Sequence, residues 1–338
     1  MSKCEESTRE PKRRYRYDRR WIRDEVRQLS WIDDRGNAIR IATQWLAALA
    51  VGGAAIYLDH WLAYVFAGLI IGSRLQRLAV LMHEACHYNL FSNRRLNDIV
   101  GDILVAYPLG ISLDLYRASH MRHHIHTNTS QDWDYVFQSS DPDQRFPRSV
   151  SSMAWLMVRS VLGLNALRML RFAQIWLPLT NLHNPEHLDI DFTPAMRLRY
   201  LLYGTVVVAT ILLSPAPTAI LGLYLVPLFI WSNLFNRIRA MSEHNGVSNA
   251  TELSGTRTVI PSLVDRFFIA PYNVSYHLEH HLFPAVPGPH LEHLHKKLMA
   301  DPIFREEAHV THGYWGVFRE LLSGRQKERT SLPVVSPD

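Results

Sequence analysis

Cysteine is scarce: Cys4 and Cys86 are the two in 338 residues, too few and too differently placed for a disulfide framework. That excludes a secreted domain stapled by disulfides. The chain has no glycine-rich phosphate loop, no repeat of fixed period and no heptad array, so nothing points to nucleotide loops, solenoids or coiled coils. It also lacks a secretory signal. Residues 1–40 are polar and basic, whereas a signal runs from a short charged region straight into an apolar core. Charge is missing elsewhere in a telling way. No Lys, Arg, Asp or Glu occurs in 41–58 or in 200–236. The mean hydropathy of −0.09 and the 20% of charged residues suggest an ordinary globular chain, but the average hides strongly apolar blocks. A disordered or collagen-like chain is excluded by the same composition. The length suggests about two domains of about 150 residues, a prior that leaves a single long unit open.

The apolar blocks read as two membrane hairpins. The 18 residues of 41–58 cover most of a bilayer core about 30 Å thick at about 1.5 Å per residue. Asp59-His60 makes a turn, and 61–80 continues apolar until Arg74 and Arg77, with Trp61 and Tyr64 placed as interface anchors. A second pair, 199–213 and 217–236, is split by Ser214-Pro215-Ala216-Pro217, which cannot continue a helix. Two buried soluble helices are the bland alternative for each pair, but a 37-residue stretch without charge (200–236) is rare in soluble proteins. No Lys or Arg lies in either hairpin turn, so the positive-inside rule puts both termini and the middle segment in the cytoplasm. The segments 99–111 and 150–164 are apolar but short, and read as interfacial helices. The expected division is a basic arm over 1–40, a membrane domain over 41–298 and a cytoplasmic tail over 299–338. Twelve of the Lys and Arg fall in the first 40 residues, which would suit an anionic membrane surface or nucleic acid. A nucleic-acid reading leaves the histidines unexplained, and no nucleic-acid partner is expected.

Histidine is over-abundant, with 18 in the chain, and most are clustered. The clusters are His83-Glu84-Ala85-Cys86-His87; His120-Met121-Arg122-His123-His124, followed by His126; Glu243-His244; and His277-Leu278-Glu279-His280-His281. On a helix, residues three and four apart share a face, so each HxxHH box is expected to turn its first His the same way as its last two. Imidazole is a good ligand for iron and zinc. Two, three, one and three make nine imidazoles, far more than one tetrahedral zinc can use. Nine suit two metal ions, each with room for a small molecule. His60, His183, His187, His290, His293, His295, His309 and His312 read as isolated surface or hydrogen-bonded residues.

The strings HEACH, HMRHHIHTN, RAMSEHNG and NVSYHLEHHLFPAVP, with one hairpin before the first box and another before the third, resemble the membrane fatty acid desaturase family from about residue 41 to 298. The resemblance implies an all-α integral membrane protein: four transmembrane helices in two hairpins, with a helical cytoplasmic cap holding a di-iron site. By motif position it assigns as ligands His83 and His87; His120, His123 and His124; His244; and His277, His280 and His281. Glu84, Glu243, Glu279, His126 and Asp132, with Asp134, are candidates to orient the ligand imidazoles. Two departures point away from the animal acyl-CoA type and toward the acyl-lipid, sphingolipid and bacterial branches. The first box has three intervening residues where that type has four, and Ala240 stands where it has an asparagine. No HPGG haem-module signature occurs, so a separate donor is expected, a ferredoxin or cytochrome b5 type with its reductase.

Three rivals compete. HExxH at residues 83–87 is the zinc-peptidase motif, with Glu84 as general base, but it strands both HxxHH boxes. A soluble carboxylate di-iron bundle would use Glu-x-x-His pairs such as Glu84/His87, Glu292/His295 and Glu306/His309, yet it has amphipathic helices rather than chargeless ones. A transporter would carry polar groups within its spans. The expected chemistry is O2-dependent removal of hydrogen from an unactivated alkyl chain, a task for an oxidised metal–oxygen species and not for acid–base groups. The product would be a C=C bond in a fatty acyl chain or similar lipid. Hydroxylation, or desaturation of a smaller amphiphile, are the alternatives. A bacterial inner membrane is favoured over the endoplasmic reticulum. Tyr64, Trp231 and Phe235 are candidates to line the substrate tunnel.

Overall fold

The computed structural model describes residues 16–132, 134–136, 141–165, 193–248 and 250–323. The first long helix, Asp34–Leu58, starts where the Asp33 carboxylate accepts from Gly36 N at 2.8 Å and stops at Asp59, whose φ of 42° leaves the right-handed region. At the next residue the ring of His60 accepts from Leu62 N and opens the second helix, Trp61–Cys86. Thr193 caps the third, Pro194–Leu212, with proline at its first position, where no N–H is needed. The fourth runs from Pro217 to His244 through a wide turn at Pro227–Ser232, where Pro227 lacks the N–H that would continue the ladder.

These four helices are each long and apolar enough to cross a membrane, and a fifth span exists if Arg94–Leu109 and Leu113–His126, bent by 89°, count as one. The third helix buries none of its side chains and exposes Leu198, Leu202, Val206 and Leu212, a surface that lipid, not water, would solvate. The second and fourth helices meet at Gly72. A Cβ there would lie 2.2 Å from Trp231 Cβ, so only glycine permits that approach.

Helices and short turns beyond the spans form a cap with two apolar cores. A parallel pair of strands, β1 (Arg257–Ile260) and β2 (His309–His312), ties the segment after the fourth helix to the C-terminal region. The structure places the element ends differently from the sequence reading. The second and fourth helices run on past 80 and 236 to carry His83 and His244 in their last turns, because charged residues can continue a helix once it has left the apolar layer. The 299–338 segment is folded against the cap as far as Ser323, through Phe304, Tyr314, Val317 and Leu321. In the basic arm, Tyr17 and Ile22 are buried against Leu253 and Phe304, and Arg19 pairs with Glu252 while Glu25 faces Lys297 at 3.4 Å, so its second half is anchored to the cap by apolar contacts and ion pairs together. Residues 1–15 and 324–338 lie outside the described residues.

Candidate metal centre

Each histidine box sits where a helix ends against the cap. The His83–His87 turn is held by neighbouring side chains that donate to its backbone carbonyls. Asn97 Nδ2 donates to Ala85 O at 2.9 Å, and Arg117 donates to Cys86 O at 3.0 Å and Ala85 O at 3.1 Å. Such partners satisfy the orphan carbonyls of a helix end. The second box lies on Leu113–His126 and the third on the short helix His277–Leu282.

The nine clustered histidines come together as two groups. His83, His87, His120, His124 and His280 form one; His123, His244, His277 and His281 form the other. Within each group the available ring nitrogens lie within 4.8 Å of one another. The HxxHH boxes therefore divide between groups, which corrects the expectation that all three histidines of a box face one way. The reason is angular. Positions i and i+4 differ by about 40° around a helix and stay together, whereas i+3 stands about 100° from i+4. So His120 and His124 share one group while His123 turns to the other, and His277 and His281 share a group while His280 turns away.

In the group of four, Nε2 of His123 is 3.1 Å from that of His244, and His244 is 2.9 Å from His277. His277 is 3.1 Å from His281, and His281 is 3.3 Å from His123. An imidazole nitrogen carries either a proton or one in-plane lone pair, so four nitrogens aimed at one point cannot all be hydrogen-bonded to each other. A shared cation satisfies them together. Two ligands at about 2.1 Å from a metal are about 3.0–3.4 Å apart for right-angle to tetrahedral geometry, which matches these separations. The group of five shows the same convergence, with His124 Nε2 at 3.1 Å from His120 and 3.0 Å from His280. Both ring nitrogens of His83, and Nε2 of His87, are buried without a hydrogen-bond partner. The residues fit two metal ions. Burial holds His120, His124, His277, His280 and His281 well below the usual imidazole range and brings His87 down to about 4. Those six rings are thus neutral at pH 7, the state in which they ligate. His123 is shifted up instead, its burial outweighed by the hydrogen bond to Asp132 and the nearby carboxylates.

The expected orienting groups fare unequally. Asp132 is fully buried and accepts from His123 Nδ1 at 2.8 Å, and Asp134 lies in the same small cluster. Glu84 takes the Gly288 N–H at 2.8 Å and stands 3.7 Å from His83 Nδ1, beyond hydrogen-bond reach. Glu243 binds Arg239 Nε at 2.6 Å and stands 3.7 Å from His277 Nδ1. Glu279 spends both oxygens elsewhere, on Thr258 at 2.5 Å and on His295 Nδ1 at 2.6 Å. His126 belongs to neither group. Sequence reading missed Asn97 and Arg117, since nothing in their spacing links them to the boxes, whereas His295 is hydrogen-bonded, as expected of it. His183 and His187 lie outside the described residues.

An apolar cleft of about 370 Å³ opens among the spans, walled by Tyr64, Gly68, Leu223, Val226 and Trp231. Of the expected tunnel residues, Phe235 is not in its wall but stacks on Trp231. Gly68 precedes His83 by 15 residues, about 22 Å along the helix, so the cleft sits well below the histidines.

Residues 59–314, three quarters of the chain, match the family model described as fatty acid desaturase. A dihydrorhizobitoxine desaturase of Bradyrhizobium elkanii is 25% identical over 320 residues, 89% of this chain and 85% of the relative. An acyl-lipid omega-3 desaturase (cytochrome b5) of the endoplasmic reticulum of Arabidopsis thaliana is 21% identical, over 80% of this chain and 70% of that one. An sn-1 oleoyl-lipid 12-desaturase of Synechocystis is 23% identical, over 75% and 73%.

Proposed function

The chain belongs to the fatty acid desaturase family, and we propose that it is a membrane oxidoreductase whose nine clustered histidines hold two irons and whose reaction puts a C=C bond into an acyl chain or similar amphiphile. The observation that carries the reading is the division of those nine histidines into two buried, convergent groups. Irons held there would supply O2 activation: two hydrogens leave adjacent carbons, and with two electrons from a separate donor and two protons the O2 becomes two waters. The chain's own residues do the rest. Neutral imidazoles supply ligand lone pairs, Asp132 fixes His123 with its proton on Nδ1 and Nε2 toward the group, and Asn97 and Arg117 hold the His83–His87 turn. Near-complete burial of His83, His120, His123, His277 and His280 limits water at the reacting carbons.

The histidine boxes and both termini face the cytoplasm in this reading, with a bacterial inner membrane as its site and a ferredoxin- or cytochrome b5-type protein as donor. The zinc-peptidase alternative uses one metal and leaves the group of four without purpose, and Glu84, its would-be base, is committed to Gly288 N. A smaller substrate is favoured by one observation, a relative named for dihydrorhizobitoxine and not for an acyl chain. Lipid and small-metabolite profiling of a host expressing the chain, beside one expressing His124→Ala, tests the reaction. New unsaturation with wild type alone supports desaturation. A new hydroxyl would replace that outcome with hydroxylation, and identical profiles from both hosts would overturn the proposal.

A further inference from the structure

Among the described residues, two cations near the end of the second span have no counter-charge. Arg74 and Arg77 lie one helical turn apart on Trp61–Cys86. Antiparallel packing sets them level with Arg40 and Gln44 of the first span, where its chargeless run ends. Arg40 faces Asp33 at 3.7 Å and Arg266 pairs with Glu292 at 3.0 Å. Arg74 and Arg77 are reached only by neutral acceptors. Arg74 donates to Gln44 Oε1 at 3.3 Å and Ser73 Oγ at 3.1 Å; Arg77 donates to Arg266 O at 3.2 Å and has the Tyr272 hydroxyl beside it. Among the described residues neither has a carboxylate partner, and Nε of each is buried without a hydrogen bond. The Phe267 ring lies 4.6 Å from the Arg74 guanidinium and 5.6 Å from that of Arg77, which offsets only part of the cost of two adjacent cations at this depth.

The element beside them marks a membrane surface. The short helix Leu263–Phe268 is fastened to the second span by Ser73 Oγ donating to Phe267 O and Gln76 Nε2 to Ile269 O. Its free side leaves Leu263 85% and Val264 65% exposed, which water would not favour and acyl chains would. An apolar lip beside paired, uncompensated guanidiniums matches a phospholipid: tails against Leu263 and Val264, and a phosphate that accepts several N–H groups from the arginine forks.

We propose that Arg74 and Arg77 bind the phosphate of one membrane phospholipid where the first span, the second span and Leu263–Phe268 meet. The site rests on the bilayer placement of the chain and not on the identity of its metals. The test uses full-length protein in neutral detergent, with phosphatidylglycerol or diacylglycerol of the same chains added and retained lipid read by native mass spectrometry. The expected result is one phosphatidylglycerol per chain, no retained diacylglycerol, and retention roughly tenfold or more weaker in R74Q/R77Q at unchanged metal content. R74K/R77K should fall between, since lysine keeps the charge and loses the fork. Excess inorganic phosphate should leave the lipid in place; displacement by phosphate alone would replace the lipid site with a free-anion site and overturn the proposal. Equal retention of both lipids by the wild-type protein would also overturn it, and decides the matter even if the glutamine variant fails to fold. Equal retention of phosphatidylglycerol by wild type and R74Q/R77Q would do so too, leaving the two arginines as general interface anchors.

Discussion

Asp132 offers the sharpest test of how the two histidine groups are held, because it touches only one of them. Its Oδ2 accepts from His123 Nδ1 at 2.8 Å and from Asn128 N at 3.0 Å, and its Oδ1 accepts from Tyr135 N at 3.2 Å. Asp132→Ala removes both acceptor oxygens and with them all three hydrogen bonds. Loss of the partner that orients a metal-bound imidazole typically weakens metal binding 10–100-fold, or about 1.4–2.7 kcal/mol. Asp132→Asn keeps the volume. Its amide will turn oxygen toward His123 and Asn128, because the reverse would face two donors with a third, and so it gives up the bond from Tyr135 N. His123 then keeps its tautomer but exchanges a charge-assisted hydrogen bond for a neutral one, a difference of about 1 kcal/mol, or roughly fivefold in affinity. The expected order of metal affinity is wild type, then Asp132→Asn, then Asp132→Ala. The effect should be confined to the metal of His123, His244, His277 and His281. Chelator titration of purified protein, reading metal retained per chain, should show one metal leaving early in the variants and the other at its wild-type concentration. Release of both metals together, or two wild-type affinities in Asp132→Ala, would refute the reasoning.

The remaining predictions concern the groups and the spans. His124→Ala and His244→Ala each remove a ligand from a different group, so each should lower the metal content by about one ion per chain, and the double variant by about two; elemental analysis checks this. Glu84→Gln keeps an acceptor for Gly288 N and should leave measurable turnover, whereas a zinc peptidase would lose its general base and all activity. Gly72→Leu puts a side chain into the backbone of the fourth helix at Trp231 and Ser232. It should cost about 1–3 kcal/mol or more as overpacking, seen as a lower thermal midpoint in detergent.

Much of this molecule can be read from its residues. The chargeless runs at 41–58 and 200–236 announce the hairpins, because a bilayer selects against charge over a fixed length. The nine histidines are visible because metal ligation needs one residue type at close spacing. Their division into five and four is half legible: the i, i+4 pairs His83/His87, His120/His124 and His277/His281 each stay in one group, as helix geometry requires. Which pair joins His244 depends on how the third box packs against the fourth helix, and no local pattern encodes that. Glu279 shows the opposite failure. Its place between ligands suggests a partner among the ligand imidazoles, yet its carboxylate points to Thr258 and to His295, which belongs to neither group, since neighbours one residue apart on a helix face different ways. The folding of 299–323 into the cap was likewise hidden, because a charged segment with scattered apolar residues looks like a tail until Phe304, Tyr314 and Leu321 find their pockets.

The measurement that bears most directly on the account is the metal content of the full-length protein, purified in detergent after expression with ample iron. Two convergent, largely buried groups of imidazoles predict about two irons per chain. About one zinc per chain, with no iron, would contradict the di-iron reading.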